Sequence, residues 1–279
     1  MRKQSLVNLL LLLLVAALGL FVWYTPDEES SHPGSPLTRL DPATVKRITI
    51  SNKNGPRFVL QRGTRGWHMT EPYQVAANTP RIHSLLDLLS TPQIETFALP
   101  ADRLAEFGLE QPLAELTFNQ TKITFGGTHP YNYGRYLRID DQLYLTNDIF
   151  PHHALARAEE FVSHTLFPDG EEISEINTPT WRLYRQQGIW TLDPDGTGSD
   201  PEQLQEKVAA WQHTRVSKVI KAPDTPPEQQ LTIRLRGSEG PIKLGIISQA
   251  PRILLINQAL GLGYQLNSDA LLRAPGINQ

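Results

Sequence analysis

The sequence predicts an α+β protein: two tandem, related domains of antiparallel β-sheet and helix, preceded by one N-terminal transmembrane helix. Three observations predict it. Residues 58–69, FVLQRGTRGWHM, and residues 181–192, WRLYRQQGIWTL, are one phrase written twice, with an aromatic, an Arg four residues on and a Trp nine residues after the aromatic. Short runs of alternating apolar and polar residues, separated by turn formers, surround both phrases, as half-buried strands require. Leu6 to Tyr24 is an apolar run with one polar interruption, Asn8.

The apolar run comes first in the chain. As a helix rising 1.5 Å per residue it covers roughly 28 Å, about the thickness of a bilayer core. Arg2 and Lys3 precede it and Asp27, Glu28 and Glu29 follow it. The positive-inside rule then keeps residues 1–5 in the cytoplasm and sends everything after the span at 6–24 outward. Trp23 and Tyr24 stand where an interfacial aromatic belt belongs. A cleaved signal peptide is the competing reading, with Ala17 and Gly19 as small residues. Its apolar stretch is usually about 7–15 residues, and here Leu20 to Tyr24 continue past that length. The reading is an uncleaved anchor in a bacterial inner membrane, single-pass, with a periplasmic body. Residues 25–40, TPDEESSHPGSPLTRL, rich in Pro, Ser and charge, read as a flexible stalk.

The first domain is expected over residues 41–170. VKRITI at 45 alternates as a strand, Asn54-Gly55 marks a turn, FVLQR is a second strand, Gly63 to Gly66 a turn and WHM a third strand. Asn78-Thr79-Pro80 reads as a helix start. Ile82, Leu85, Leu86 and Leu89 follow at helical spacing on one face. Asp102 to Phe107 reads as a short helix stopped by Gly108. Strands follow at LTF 116, KITF 122, RYLRI 135 and LYLT 143, with Asp140-Asp141 as a hairpin turn. Ile149 to Leu166 is expected to be helical, broken near Pro151.

The second domain, residues 171–279, repeats the plan. SEI at 174, WRLYR at 181 and WTL at 190 match the meander, and Ser199-Asp200-Pro201 matches the helix start. Leu204, Val208 and Trp211 stand 122 residues after Ile82, Leu86 and Leu89. LTI at 231, IKLG at 242, LLIN at 254 and YQLNSD at 264 match the later strands. A period this long is a duplicated domain rather than a solenoid. Trp67 and Trp190, at one framework position in both copies, are expected in the core, although a Trp can also line a sugar groove.

Net charge is −3 and the sequence pI about 6.2, so no nucleic-acid surface is indicated. Cysteine is absent, which excludes disulfides, thiolate metal sites and a cysteine nucleophile.

Several of these stretches resemble a known family. The Leu-rich anchor, the opening VKRITI strand, the Gly-Trp after a short turn, FGLEQP at 107–112, KITFGG and RYLRIDDQLYL are similar to bacterial domain-of-unknown-function family number 4340. The resemblance covers most of residues 40–167 and extends more weakly into the second copy, which has DTPPEQQ in place of FGLEQP. It implies an exported or membrane-anchored protein with no assigned reaction, of a kind often found beside ABC-type transport components. FGLEQP has its own physical reading: Gly108 ends a helix in the left-handed conformation and Pro112 blocks its continuation. A ligand loop is the alternative.

One cluster in the sequence has metal-ligand character. His152 and His153 are followed by Glu159, Glu160 and His164, with Glu160 and His164 at i, i+4 if helical. The zincin pattern is absent, and adjacent histidines after a proline read more simply as exposed loop. Asp140 and Asp141 read as turn formers, and Asp148 and Asp269 as caps of a following helix. There is no Gly-x-Ser-x-Gly elbow and no P-loop, and the glycines of LGLGY at 260 read as a hairpin turn. Arg215, Lys218, Lys221, Arg234, Arg236 and Lys243 form a basic set that could meet anionic lipid headgroups, an acidic partner or a polyanionic glycan, or lie on a solvated sheet face.

No catalytic, cofactor-binding or metal residue is therefore assigned, and no cofactor is expected. The expectation is a membrane-anchored, non-catalytic accessory or scaffold protein of an ABC-type envelope transport system, held to the inner membrane through residues 6–24 and touching a transport subunit. A periplasmic glycan- or peptide-binding module using a cleft between the copies is the alternative. A metal-dependent hydrolase on His152, His153 and His164 comes third.

Overall fold

The computed structural model describes residues 14–17, 34–99, 102–168, 170–194, 200–249 and 252–275. The expected anchor and the first part of the expected stalk lie outside them, apart from residues 14–17, which are helical. Among the described residues, no helix is long and apolar enough to cross a membrane.

The first half is built from β1 (Arg47–Asn52), β2 (Gly55–Gly63), β3 (Gly66–Glu71), β4 (Val75–Ala76), β5 (Gln93–Ala98), β6 (Ala114–Phe118), β7 (Thr121–Thr128), β8 (Arg135–Ile139) and β9 (Gln142–Thr146). The second holds β10 (Ile173–Asn177), β11 (Arg182–Gln186), β12 (Ile189–Asp193), β13 (Lys218–Lys221), β14 (Gln229–Leu235), β15 (Ile242–Gln249), β16 (Arg252–Asn257) and β17 (Leu262–Leu266). Each half folds into one antiparallel sheet. The orders are β4-β3-β2-β1-β6-β7-β8-β9-β5 and β12-β11-β10-β14-β15-β16-β17-β13. Element for element these are the same order, with β4 as the one addition to the first sheet. Two mostly β halves of one topology fit an internal duplication.

The pattern of apolar residues explains each sheet's inner face. Ile48 and Ile50 of β1 face the core together with Phe58 and Leu60 of β2, and all four are buried. In the second half Ile176 pairs Leu183 on one side and Ile233 on the other, again buried. Each inner face is closed by a helix. Asn78 caps the helix Thr79–Leu86, its side chain accepting from the Arg81 amide, and Ile82, Leu85 and Leu86 are buried. Asp200 caps the helix Pro201–Gln212 by accepting from the Glu202 amide, and Leu204, Val208 and Trp211 are buried. The matched triplets of the sequence thus occupy matched places. Trp67 and Trp190 are both buried in the core, at 4% and 9% exposure.

Four expectations change. Ile149 to Leu166 is not helical beyond the turn Pro151–Ala154 and a 3-10 turn at Ala158–Phe161. After Phe161 the chain is extended, because it is used as a link between the sheets. Residues 34–40, read from composition as the end of a stalk, pack on the body: the Leu37 and Thr38 amides donate to Thr91 and Leu89 carbonyls, and Leu37 is buried. Leu143 and Tyr264, aligned in the sequence, fall on opposite faces. In β9 it is Tyr144, paired with Leu137, that turns inward, as Tyr264, paired with Leu255, does in β17. Asp148 and Asp269 cap no helix. Asp148 grips the buried Arg135, and Asp269 meets Arg273 four residues on.

Candidate functional site

The two sheets are joined by residues 161–167. The Ser163 amide donates to the Ala76 carbonyl of β4, and the Asn78 amide donates to the Phe161 carbonyl. On the other side the Val216 amide donates to the His164 carbonyl, and Thr165 bridges Arg215 just before β13. One short extended segment therefore pairs with the β4 end of the first sheet and the β13 end of the second. Phe161 is fully buried, 5.2 Å from the Phe58 ring, and Phe167 is buried at the other end of the link. Tyr73 reaches across toward Gly261 in the second half, and its hydroxyl donates to Glu159. Burial and the adjoining Glu159 carboxylate raise the Tyr73 pKa.

Beside this link an open cleft of about 1010 Å³ lies between the halves. Its floor is apolar: Trp67, Met69 and Val75 from the first half, Phe167 from the link, and Leu244 and Leu260 from the second. Tyr264 also faces it, with burial pushing its phenol up to about 12. Its polar lining includes Gln74, Asn78, Ser163, Thr165 and Asn257. Arg65 and Arg215 stand on it from opposite halves, with His68, His164 and, among the described residues, one carboxylate, Glu171. Arg65 and Arg215 are exposed and form no ion pair among the described residues. Burial, then the Arg215 charge, lowers the His164 pKa, which favours the neutral ring.

The candidate metal cluster of the third-ranked alternative is not assembled. The rings of His152 and His153 lie against each other with centroids 3.9 Å apart. Glu160 is paired with Arg81, Glu159 accepts from Tyr73, and His164 sits on the extended link, so no helix carries Glu160 and His164 on one face. Among the described residues, no three His, Asp or Glu side chains are placed to hold a metal ion. The basic set also divides. Arg234 and Arg236 pair with Glu175 and Glu172, Lys218 and Lys221 sit on the edge strand β13, and Arg215 alone reaches the cleft. Lysines on an edge discourage pairing with another chain. Asp140 has φ 51 at the β8–β9 turn, as a turn former should.

FGLEQP is structural. Phe107 ends a 3-10 turn, Gly108 turns left-handed at φ 66, and its backbone lies on Gly126 and Gly127 of β7. A Cβ on Gly126 would stand 2.3 Å from the Phe107 carbonyl oxygen. FGLEQP and KITFGG are thus two sides of one contact. In the second half DTPPEQQ does the same work: Pro227 lies over Gly245 of β15, where a Cβ would meet it at 2.5 Å.

The model of one protein family, described as Domain of unknown function (DUF4340), matches residues 67–232, more than half of the chain. The chain belongs to this family. The DUF4340 match runs from Trp67 in β3 to Thr232 in β14, so it starts later than the resemblance expected over residues 40–167, reaches into the second half as expected, and includes the link and most of the cleft lining. No curated protein and no solved structure matches the chain.

The cleft was not locatable from sequence. Its lining comes from four separated stretches, and the link that creates it reads as the tail of a helix.

Proposed function

We propose that this DUF4340 protein is a membrane-anchored, non-catalytic accessory or scaffold protein of the bacterial envelope. In this reading it serves an ABC-type transport system and receives a segment of a partner subunit in the cleft between its duplicated halves. The observation that carries the reading is the cleft itself, wide, open and lined by both halves across a hydrogen-bonded link. Such a surface suits gripping more than chemistry. The carboxylates that sequence offered have structural duties in a turn and in ion pairs. The anchor at 6–24 and a periplasmic body supply the setting, and the family resemblance supplies the transport context.

Affinity purification of the full-length protein from crosslinked membranes tests this, beside a form with an unrelated anchor in place of residues 1–24. A permease or ATPase recovered with both forms supports the reading. Recovery with the native anchor alone puts the contact in the bilayer and overturns the role of the cleft.

The same cleft favours a second reading, a periplasmic module binding a free glycan or peptide. A thermal shift of the purified protein with envelope-derived saccharides, without recovery of any transport subunit, would favour it.

A further inference from the structure

We infer that the cleft takes an extended, acidic segment of a partner protein, with apolar side chains laid on the floor and carboxylates set against Arg65 and Arg215. This deepens the reading above and rests on it.

Charge comes first. Two guanidinium groups with no ion-pair partner among the described residues stand on the cleft, one from each half, and Glu171 is the one carboxylate that the described residues place on its lining. The protein as a whole carries net charge −3, so this cationic pair runs against the general balance. Guanidinium is weakly hydrated and presents a planar fork that fits a carboxylate with two hydrogen bonds. An arginine on each side selects a ligand long enough to reach both.

Polarity decides between a peptide and a lipid. Trp67, Met69, Val75, Phe167, Leu244 and Leu260 could cover an acyl chain. Asn78 and Asn257 share the same lining; their side-chain oxygens accept from the Arg81 and Leu260 amides, and the Ser163 and Thr165 hydroxyls bond each other, so an acyl chain would desolvate chiefly the two asparagine NH2 groups. A peptide backbone offers them donors and acceptors at every residue while its apolar side chains use the floor. Exposed arginines at the boundary then act on register and on the rate of encounter.

The test uses the full-length protein in nanodiscs of neutral lipid and three pools of random dodecapeptides. One is drawn from Glu, Leu and Ser, one from Lys, Leu and Ser, and one from Gly, Leu and Ser. The expected result is that the acidic pool is retained at least tenfold over the neutral pool. That excess should disappear in Arg65→Glu/Arg215→Glu and shrink as salt rises. Both substituted residues are exposed, and an unchanged thermal midpoint will show that the variant is folded. Equal retention of acidic and neutral pools, or preference for the basic pool, overturns the inference and leaves the gripping cleft standing. Retention of an acidic pool that survives the double charge reversal also overturns it. Binding of oleate or cardiolipin with no pool retained overturns both the inference and the partner-gripping reading.

Discussion

Gly108 and Gly127 meet backbone to backbone: a Cβ on Gly108 would stand 2.7 Å from the Gly127 nitrogen. Gly108 also has φ 66, a conformation that side chains resist. The contact closes the FGLEQP loop onto β7 and fixes the outer side of the first sheet.

Gly108→Ala and Gly126→Ala should each destabilise the fold by about 1–3 kcal/mol, because the added methyl meets backbone rather than a movable side chain. Gly55→Ala, with nothing within 4 Å of the new Cβ, is the control and should stay within about 0.5 kcal/mol of the parent. Urea denaturation of the three variants checks the ordering.

Arg135 is 8% exposed and holds Asp148 through two hydrogen bonds of 2.8 and 2.6 Å, while a third nitrogen donates to the Gly126 carbonyl. Removing one partner of such a buried pair costs about 3–5 kcal/mol, since the other charge is stranded. Asp148→Asn should therefore be strongly destabilising, and Arg135→Met/Asp148→Leu should recover part of the loss. A double-mutant cycle by denaturant melts measures that recovery.

Trp211 is fully buried under the second sheet, and its indole N–H donates to the Leu271 carbonyl at 3.1 Å. Trp211→Ala should cost about 3–5 kcal/mol. Trp211→Phe, which keeps most of the volume and loses the donor, should cost clearly less by the same melt.

Burial is the first cause that lowers the His153 and His164 pKa values. The folded state then binds protons less readily than the unfolded chain, whose histidines titrate near pH 6.5. Stability from this source is complete above about pH 6.5 and is lost as pH falls from there through the lowered folded values. Midpoints of urea unfolding at pH 7.5 and 5.5 should differ less in His153→Gln/His164→Gln than in the parent.

Much of this fold is legible in the sequence. Strong alternation marked β1, β2, β6, β7, β8 and β9 and their partners, and the capping residues Asn78 and Asp200 marked both helices. β5 and β13 were missed, and they are equivalents: each is an edge strand with one neighbour, so half its side chains face water and its pattern is weak. The slip between Leu143 and Tyr264 has a related cause. Leu143 and Leu145 are buried on the outer side of the sheet, so β9 is apolar on both faces and its pattern does not say which face is inward. The helix expected through residue 166 is absent because residues 162–166 are spent on joining the sheets, a long-range role that local pattern does not carry, and the candidate metal cluster goes with it. The cleft follows from that same link.

The most direct test of the partner-gripping cleft is site-specific crosslinking in native membranes. The chain has no cysteine, so Ser163→Cys on the link carries a single photo-crosslinker into the cleft, and Gln187→Cys carries one at the β11–β12 turn, which does not line it. One discrete adduct is expected from position 163, identified by mass spectrometry as a transport subunit, and none from position 187. An adduct from position 187 with none from position 163 would contradict the partner-gripping cleft.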